Sequence, residues 1–362
     1  MKRFGNLFSQ VIDKENIIKA AMYVAHIHCI GEIPYDDGAK SFFYNLDFNV
    51  KNFQEKLIAH TYRLGKYSSF NVFEYGKKRT IEYFKTFTDN VLQQAVIQIV
   101  EPIWNKIYIL NTYSSIKKRG TQKCADDVQR ALKNHKEETK FCLKYDVHHF
   151  YDSINHSKLK SLVRRKIKDK DLLWILDSYI DSKSGDSGIA IGVNLSRFFA
   201  NLHLAYLDHF IKEKLKAKFY FRYADDGVVL GSTKEELFKI REEILSKFTD
   251  LVLEMKSNWQ VFPTDSRGVD FVGYKMFHTH TLMRKKIKKN FCKRVFILNK
   301  LPNLSPKEYV QGICGWLGWA KHSNSKNLLK KIIKPKFYDY VRQKAQCMGI
   351  KRERKPYLQM GY

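Results

Sequence analysis

The chain has 362 residues, 44% hydrophobic and 14% aromatic, enough to fill a core and to exclude a disordered tail protein. Lys and Arg number 65 against 37 Asp and Glu, a net charge of +28 that points to a polyanionic partner, nucleic acid first and an anionic membrane surface second. Six cysteines, at 29, 124, 142, 292, 314 and 347, form no CxxC pair, which excludes a zinc knuckle or disulfide framework and fits free thiols in a reducing compartment.

The first residues, MKRFGNLFSQVIDKEN, lack the apolar run of a signal peptide, and no apolar stretch approaches the roughly 20 residues needed to span a bilayer. A cytoplasmic protein with no membrane partner is expected. Asp13 to Ile27 and residues 50–65 read as helical. EYGKKRTI (74–81) has turn residues between β-formers and reads as a hairpin. DNVLQQAVIQIVEPIW carries apolar residues at helical spacing, with a stop expected at Pro102. A basic loop, KKRG (117–120), precedes a helix over about 121–135.

KFCLKYDVHHFYDSI begins as a strand and turns at Asp146. GIAIGVNLSRFFANLHLAYLDHFIKEKL is a glycine-containing loop followed by a long helix, with Asn194 or Ser196 as its cap. KFYFRYADDGVVLG reads as two β-runs about an Asp-Asp-Gly turn. A helix over 233–248 and strands near 259–263 and 269–277 follow, and from about 286 the chain is helical and basic. The fold class is α+β.

Asp225 and Asp226 sit together at a predicted hairpin tip, and Asp146 ends another strand 79 residues earlier. Paired acids in a turn are usually just solvated. Here they stand between two apolar β-runs, with a strand-borne Asp upstream. If the strands are neighbours, three carboxylates converge, and carboxylates that repel are tolerated around a cation. Such a cluster suits two-metal phosphoryl transfer, and the lack of a Cys/His cluster agrees with hard-cation chemistry.

FRYADDGVVL resembles the catalytic YxDD hairpin of reverse transcriptases. LKYDVHHFYDSI resembles their first palm motif, D-x-x-x-F-[FY]-x-S-I, and IGVNLSRFFANLHLAYLDHFI their Gly-x-x-x-Ser motif and helix. GVDFVGYKMF (268–277) is similar to the primer-grip segment, and KKRTIEYFKTFTDNVLQQAVIQIVEPIW to the fingers motif. The five motifs occur in family order over roughly residues 70–280.

The resemblance implies an RNA-directed DNA polymerase with a right-hand fold of fingers, palm (an antiparallel sheet with helices) and short helical thumb. It implies an N-terminal extension over 1–45, fingers over 46–135, and a palm over 136–280 with finger elements inserted at about 155–187. Residues 281–362 become a basic helical thumb and tail. Asp146, Asp225 and Asp226, with the backbone carbonyl of Val147, would hold two Mg²⁺ ions, Mn²⁺ being a substitute. Tyr151 would be the aromatic gate that clashes with a ribose 2′-OH. Lys77, Lys78 and Arg79 would hold the incoming triphosphate, with Gly192, Ser196 and Arg197 lining the nucleotide site. Lys256 would protonate the pyrophosphate leaving group.

Ile191 and Gly192 match the [IVL]-G-x-x-x-S-Q spelling of diversity-generating retroelement enzymes, although Arg197 stands where that group has Gln. A defence-associated enzyme working with a noncoding RNA against phage, and a catalytically silent RNA-binding protein, are the alternatives. Neither the NAxxH nor the VTG signature of retron enzymes is present.

Residues 281–362 hold 21 basic and 3 acidic residues. In RKKIKKNFCKRVFILNK (284–300), apolar residues interleave with bases, suiting a helix that packs one face and turns the other to phosphates. Nucleic-acid contacts are expected from Lys117, Lys118 and Arg119, from Phe271, Gly273 and Tyr274, and from Arg284, Lys285, Lys286, Lys288 and Lys289. Trp316 and Trp319 read as thumb core. The tail KRERKP (351–356) reads as an RNA- or protein-binding extension. The implied partners are an RNA template and primer, an RNA–DNA heteroduplex and dNTPs. A structured noncoding RNA and a small basic accessory protein are further candidates.

Overall fold

The structure is a computed structural model that describes residues 3–28, 37–74 and 77–347; the tail 351–356 lies outside them. Helices and strands interleave along the chain, giving the expected α+β class. The chain forms two compact units, each drawn from separated stretches. The first comprises residues 1–118, 143–229 and 235–261, and the second residues 119–142, 230–234 and 262–362.

In the first unit, strands β1 (Tyr67–Glu74) and β2 (Lys77–Phe84) pair antiparallel, with Val72 opposite Arg79 and Phe73 opposite Lys78. The expected hairpin is therefore present, with strands longer than residues 74–81 suggest. The helix Phe87–Asn105 is buried over much of its surface: Val91, Leu92, Ala95, Val96, Val100 and Trp104 are all buried, and so are Asp89, Gln93 and Gln94. A helix of that kind belongs inside a core. It runs straight through Pro102. The proline lies in the last turn, where it removes a single helical hydrogen bond, and the fully buried Trp104 anchors the residues beyond it.

The helical expectation over 50–65 shifts to Leu46–Ile58. The helix ends because His60 adopts φ 55, while Thr61 N–H donates to the Lys56 carbonyl and His60 N–H to the Leu57 carbonyl. That pair of bonds is a Schellman close.

Strands β3 (Phe141–Tyr145), β4 (Phe219–Tyr223), β5 (Asp226–Gly231) and β6 (Gln260–Pro263) form one sheet in the order β4-β5-β3-β6. The helix Ser196–His209 is buried through Phe198, Phe199, Leu202, Leu204 and Leu207. Neither Asn194 nor Ser196 caps it: Leu195 is the cap residue, and its N–H donates to the Gln93 side chain at 3.2 Å. Burial leaves that amide no water, so a glutamine from the neighbouring buried helix replaces the local cap.

The second unit contains the helix Thr121–Asn134 and an antiparallel meander of β7 (Val269–Phe271), β8 (Tyr274–Met276) and β9 (Thr281–Met283). The single strand expected near 269–277 is split at Val272 and Gly273, both at positive φ. Four helices follow, Lys285–Lys300, Pro306–Lys321, Lys326–Ile332 and Pro335–Cys347. Ile287, Phe291, Val295 and Leu298 recur at helical spacing and bury against Tyr309, Ile313, Leu317 and Phe337. Trp316 and Trp319 pack on this cluster, as expected. Among the described residues, no helix is long and apolar enough to cross a membrane. Cys124, Cys142, Cys292 and Cys314 are free thiols.

Candidate active site

Two elements of the first unit bring the three expected aspartates together. β3 ends at Tyr145, so Asp146 is the first residue beyond it. The Lys256 N–H donates to the Asp146 carbonyl at 2.9 Å, Val147 bridges Met255 antiparallel, and the His148 N–H donates to the Glu254 carbonyl at 2.7 Å. This backbone lattice fixes the exit of β3.

β4 and β5 are joined by a two-residue turn, Ala224 and Asp225, rather than by the expected Asp-Asp-Gly. Ala224 takes the positive φ, 54°, and Asp226 already belongs to β5. Gly227 is needed for space instead. A Cβ there would overlap the Tyr145 ring of the adjacent strand.

Because β5 lies beside β3 in the sheet, the turn and the end of β3 adjoin. The Asp225 carboxyl comes within hydrogen-bonding reach of Asp146. Burial pushes Asp225 up to about 7, reinforced by its bond to Asp146 and by the Asp146 and Asp226 charges. The Lys256 ammonium is hydrogen-bonded to Asp146 Oδ2. Asp146 Oδ1 is buried without a partner. A cavity of about 130 Å³ opens beside these groups, lined by Lys144, Tyr145, Asp146, Asp226, Asn258 and Gln260.

Crowded carboxylates favour positive charge beside them, and here the Lys256 ammonium supplies it. The donors are oxygens, which suit a hard divalent cation. No group of three His, Cys, Asp or Glu stands at ligand spacing among the described residues. Lys256 holds one of the Asp146 oxygens that such a set would use.

Tyr151 lies in the short helix Phe150–Ser153, which opens from His149 in the left-handed region, φ 42° and ψ 44°. Burial and the Asp225 charge push its hydroxyl up to about 12, and the Arg197 charge acts the other way. The hydroxyl thus lies near enough to Asp225 to feel its charge.

Gly192 has φ 119°, and a Cβ there would strike the Glu82 carbonyl and the Ile81 side chain. The Glu82 N–H donates to the Ile191 carbonyl at 2.6 Å. Glycine is what lets this loop close onto β2. Ser196 is buried at the start of its helix. Arg197 Nε is buried without a partner. A cavity of about 300 Å³ lies there, among Asn90, Gln93, Gln94, Gly192, Asn194 and Arg197. Lys78 and Arg79 are exposed on β2. Lys77 opens that strand, and its side chain lies outside the described residues.

The nucleic-acid expectations divide. Lys117 is exposed and paired to Glu101, Lys118 is exposed at φ 63, and Arg119 is partly buried. In the second unit, Lys285, Lys286, Lys288 and Lys289 are all exposed on the face of Lys285–Lys300 away from Ile287 and Phe291. Arg284 is exposed but already engaged, donating to Asp270 through Nε at 2.7 Å. Phe271 and Tyr274 are buried core side chains. Their rings pack inside the β-meander, and the turn between them is engaged as well: Gly273 is buried and its carbonyl accepts the Arg284 N–H at 2.9 Å. Gly273 itself abuts Trp319.

Two site-supporting residues escape a linear reading. Arg222 and Asp208 are completely buried and paired. The available signal is a charged residue inside the aromatic strand FYFRY, and another inside the apolar helix that precedes it.

A family model described as "Reverse transcriptase (RNA-dependent DNA polymerase)" matches residues 73–276, just over half of the chain. Protein YkfC of Escherichia coli (strain K12) is 24% identical over 240 residues, which is 55% of this chain and 61% of that protein. The putative COX1/OXI3 intron 2 protein of Saccharomyces cerevisiae is 24% identical over 182 residues, 45% of this chain and 21% of that one. The chain therefore spans about three fifths of the one relative and a fifth of the other. Among solved structures, apo telomerase from Candida tropicalis superposes with a TM-score of 0.50 at 13% identity. The match covers 79% of this chain and 58% of that one. The fold is the right-hand polymerase fold.

Proposed function

Because the chain belongs to the reverse transcriptase family, we propose that it is an RNA-directed DNA polymerase. It extends a primer on an RNA template by nucleotidyl transfer. The observation that carries this reading is the buried approach of Asp225 to Asp146 across neighbouring strands, beside Asp226 and the Lys256 ammonium.

In this reading Asp146, Asp225, Asp226 and the Val147 carbonyl would hold two Mg²⁺ ions, or Mn²⁺ in their place. Such ions, when bound, activate the attacking 3′-hydroxyl and stabilise the leaving oxygen. The chain's own residues do the rest. Lys256, bonded to Asp146 here, would give a proton to the pyrophosphate leaving group. Tyr151 presents a neutral ring where a 2′-OH would sit. Arg79 and Lys78, with Lys77, bind triphosphate oxygens, the guanidinium in bidentate fashion. Gly192 brings backbone close to the nascent pair, with Ser196 and Arg197 beside it.

The partners are an RNA template and primer, their RNA–DNA heteroduplex and dNTPs. The exposed lysines of Lys285–Lys300 supply the phosphate contacts. The biological role we favour is diversification, on Ile191, Gly192 and Ser196, with Arg197 in place of Gln. Defence with a noncoding RNA shares the chemistry. A silent binding role is disfavoured because all three aspartates are present.

Primer extension on RNA templates with dNTPs and Mg²⁺ tests the reading, beside the Asp225→Asn/Asp226→Asn variant. Extension that disappears in the variant supports the polymerase. Frequent misincorporation opposite template adenine favours diversification, and even fidelity across bases favours defence. Binding of heteroduplex with no extension under any divalent metal would instead support the silent protein.

A further inference from the structure

Arg222 directly precedes Tyr223-Ala224-Asp225-Asp226 and is completely buried, as is Asp208, fourteen residues earlier. The two form a bidentate pair: Arg222 Nε donates to Asp208 Oδ1 at 2.7 Å and Nη2 to Oδ2 at 2.6 Å. The remaining guanidinium nitrogen, Nη1, donates to the Ala224 carbonyl at 2.7 Å and to Asn201 Oδ1 at 3.2 Å. Asp208 is saturated in turn. It accepts from the Tyr220 hydroxyl at 2.8 Å and the Thr112 hydroxyl at 3.0 Å. The Tyr145 hydroxyl donates to that of Tyr220 at 3.2 Å.

One buried carboxylate is thus tied to both strand ends that carry the aspartates. Through Arg222 it reaches the Ala224 carbonyl in the turn. Through Tyr220 it reaches Tyr145, the residue before Asp146. The turn needs such a hold, because Ala224 sits in the left-handed region that alanine disfavours. A trans peptide points its C=O and N–H in opposite directions. Holding the Ala224 carbonyl on Arg222 therefore fixes the direction of the Asp225 N–H and, with it, the point at which the Asp225 side chain leaves the turn.

Buried ion pairs are often replaceable by apolar residues without loss of stability. What this one supplies that an apolar pair could not is orientation of the turn. We propose that Arg222 and Asp208 are positioning residues that aim Asp225 at the divalent-cation site of the nucleotidyl-transfer reaction. The inference rests on the function proposed above.

Arg222→Lys separates position from stability. A lysine keeps a charge for Asp208, but its single ammonium lacks the planar fork that spans Asp208 and the Ala224 carbonyl together. Arg222→Met/Asp208→Leu removes both charges and leaves no unpaired ion. The measurements are thermal melting, Mn²⁺ binding to the nucleotide-free protein by electron paramagnetic resonance, and steady-state extension. The proposal expects folded variants with Mn²⁺ affinity weakened at least about tenfold. It also expects kcat lowered by a similar factor, with KM for dNTP within about twofold.

Folded variants that bind Mn²⁺ and turn over like the unaltered protein would overturn it. So would failure of both variants to fold, which would make the pair a stability element. If the unaltered protein neither binds Mn²⁺ nor extends a primer, the proposed function falls and takes this inference with it. An active parent with unchanged variants removes the inference alone.

Discussion

Tyr151 is held in a neutral state beside Asp225, with its hydroxyl pushed up to about 12. In the gate role proposed for Tyr151, the bulk of the ring does the excluding. Tyr151→Phe should leave discrimination between dNTPs and rNTPs unchanged. Tyr151→Ala should open the space and raise ribonucleotide incorporation by about 100-fold in relative kcat/KM, the scale at which a pocket resolves one small group. Single-nucleotide insertion assays with paired dNTP and rNTP would read this, and unchanged selectivity in the alanine variant would remove Tyr151 from the gate.

Gly227 gives a second prediction at this scale. Its Cα faces the Tyr145 ring with no room for a methyl group. Gly227→Ala should destabilise by about 1–3 kcal/mol, measurable by denaturant unfolding. It should also depress extension, because relief requires β3 and β5 to part beside Asp146. The aspartates themselves were legible because paired acids between apolar β-runs are chemically odd and the strand-borne Asp146 has the same oddity. Arg222 and Asp208 were not. Each reads alone as an ordinary charged residue, and only the packing of strand on helix makes them one pair.

At the level of elements, long apolar helices and the paired strands can be read from spacing, whereas their ends cannot. Pro102 looks like a stop, but burial of Trp104 carries the helix past it. Asn194 and Ser196 look like caps, but Gln93 from another helix does that work. The Asp-Asp-Gly string looks like a turn, but the turn is one residue earlier and the glycine answers to Tyr145. In each case a tertiary contact displaces the local preference.

The buried helix Ser196–His209 carries its own pH sensitivity. His203 is fully buried, its Nε2 bonded to the Leu251 carbonyl at 3.1 Å. Burial lowers its pKa from 6.5 to about 4, and the Lys158 charge acts in the same direction. As pH falls below 6.5, the unfolded chain takes up this proton before the folded one does. Stability is therefore full above about 6.5 and drains away down to about 4, by roughly 3 kcal/mol at about 1.4 kcal/mol per unit. His203→Gln should flatten that part of the curve. Urea midpoints at pH 7 and pH 4.5 provide the comparison, and equal losses in parent and variant would assign the acid sensitivity to other groups.

For the whole molecule the governing quantity is the net charge of +28, much of it in the C-terminal region. Composition shows that excess at once, but not that each compact unit is assembled from separated stretches of chain. The helix Lys285–Lys300 divides its residues cleanly: Ile287, Phe291, Val295 and Leu298 enter the core of the second unit. Lys285, Lys286, Lys288 and Lys289 stay in solvent. A surface of this kind suits phosphate backbones of any sequence, which is what copying an arbitrary template requires. Each phosphate contact releases condensed counterion, so log K should fall linearly with log salt by about 0.7–0.9 per contact. Replacing all four lysines with Gln should leave the fold intact, because none is buried. It should also make the slope shallower by about 3. Fluorescence anisotropy of an RNA–DNA heteroduplex across a salt series measures both slopes. A variant with the parental slope and affinity would show that this helix does not touch the duplex, and that the charge excess is spent elsewhere on the chain.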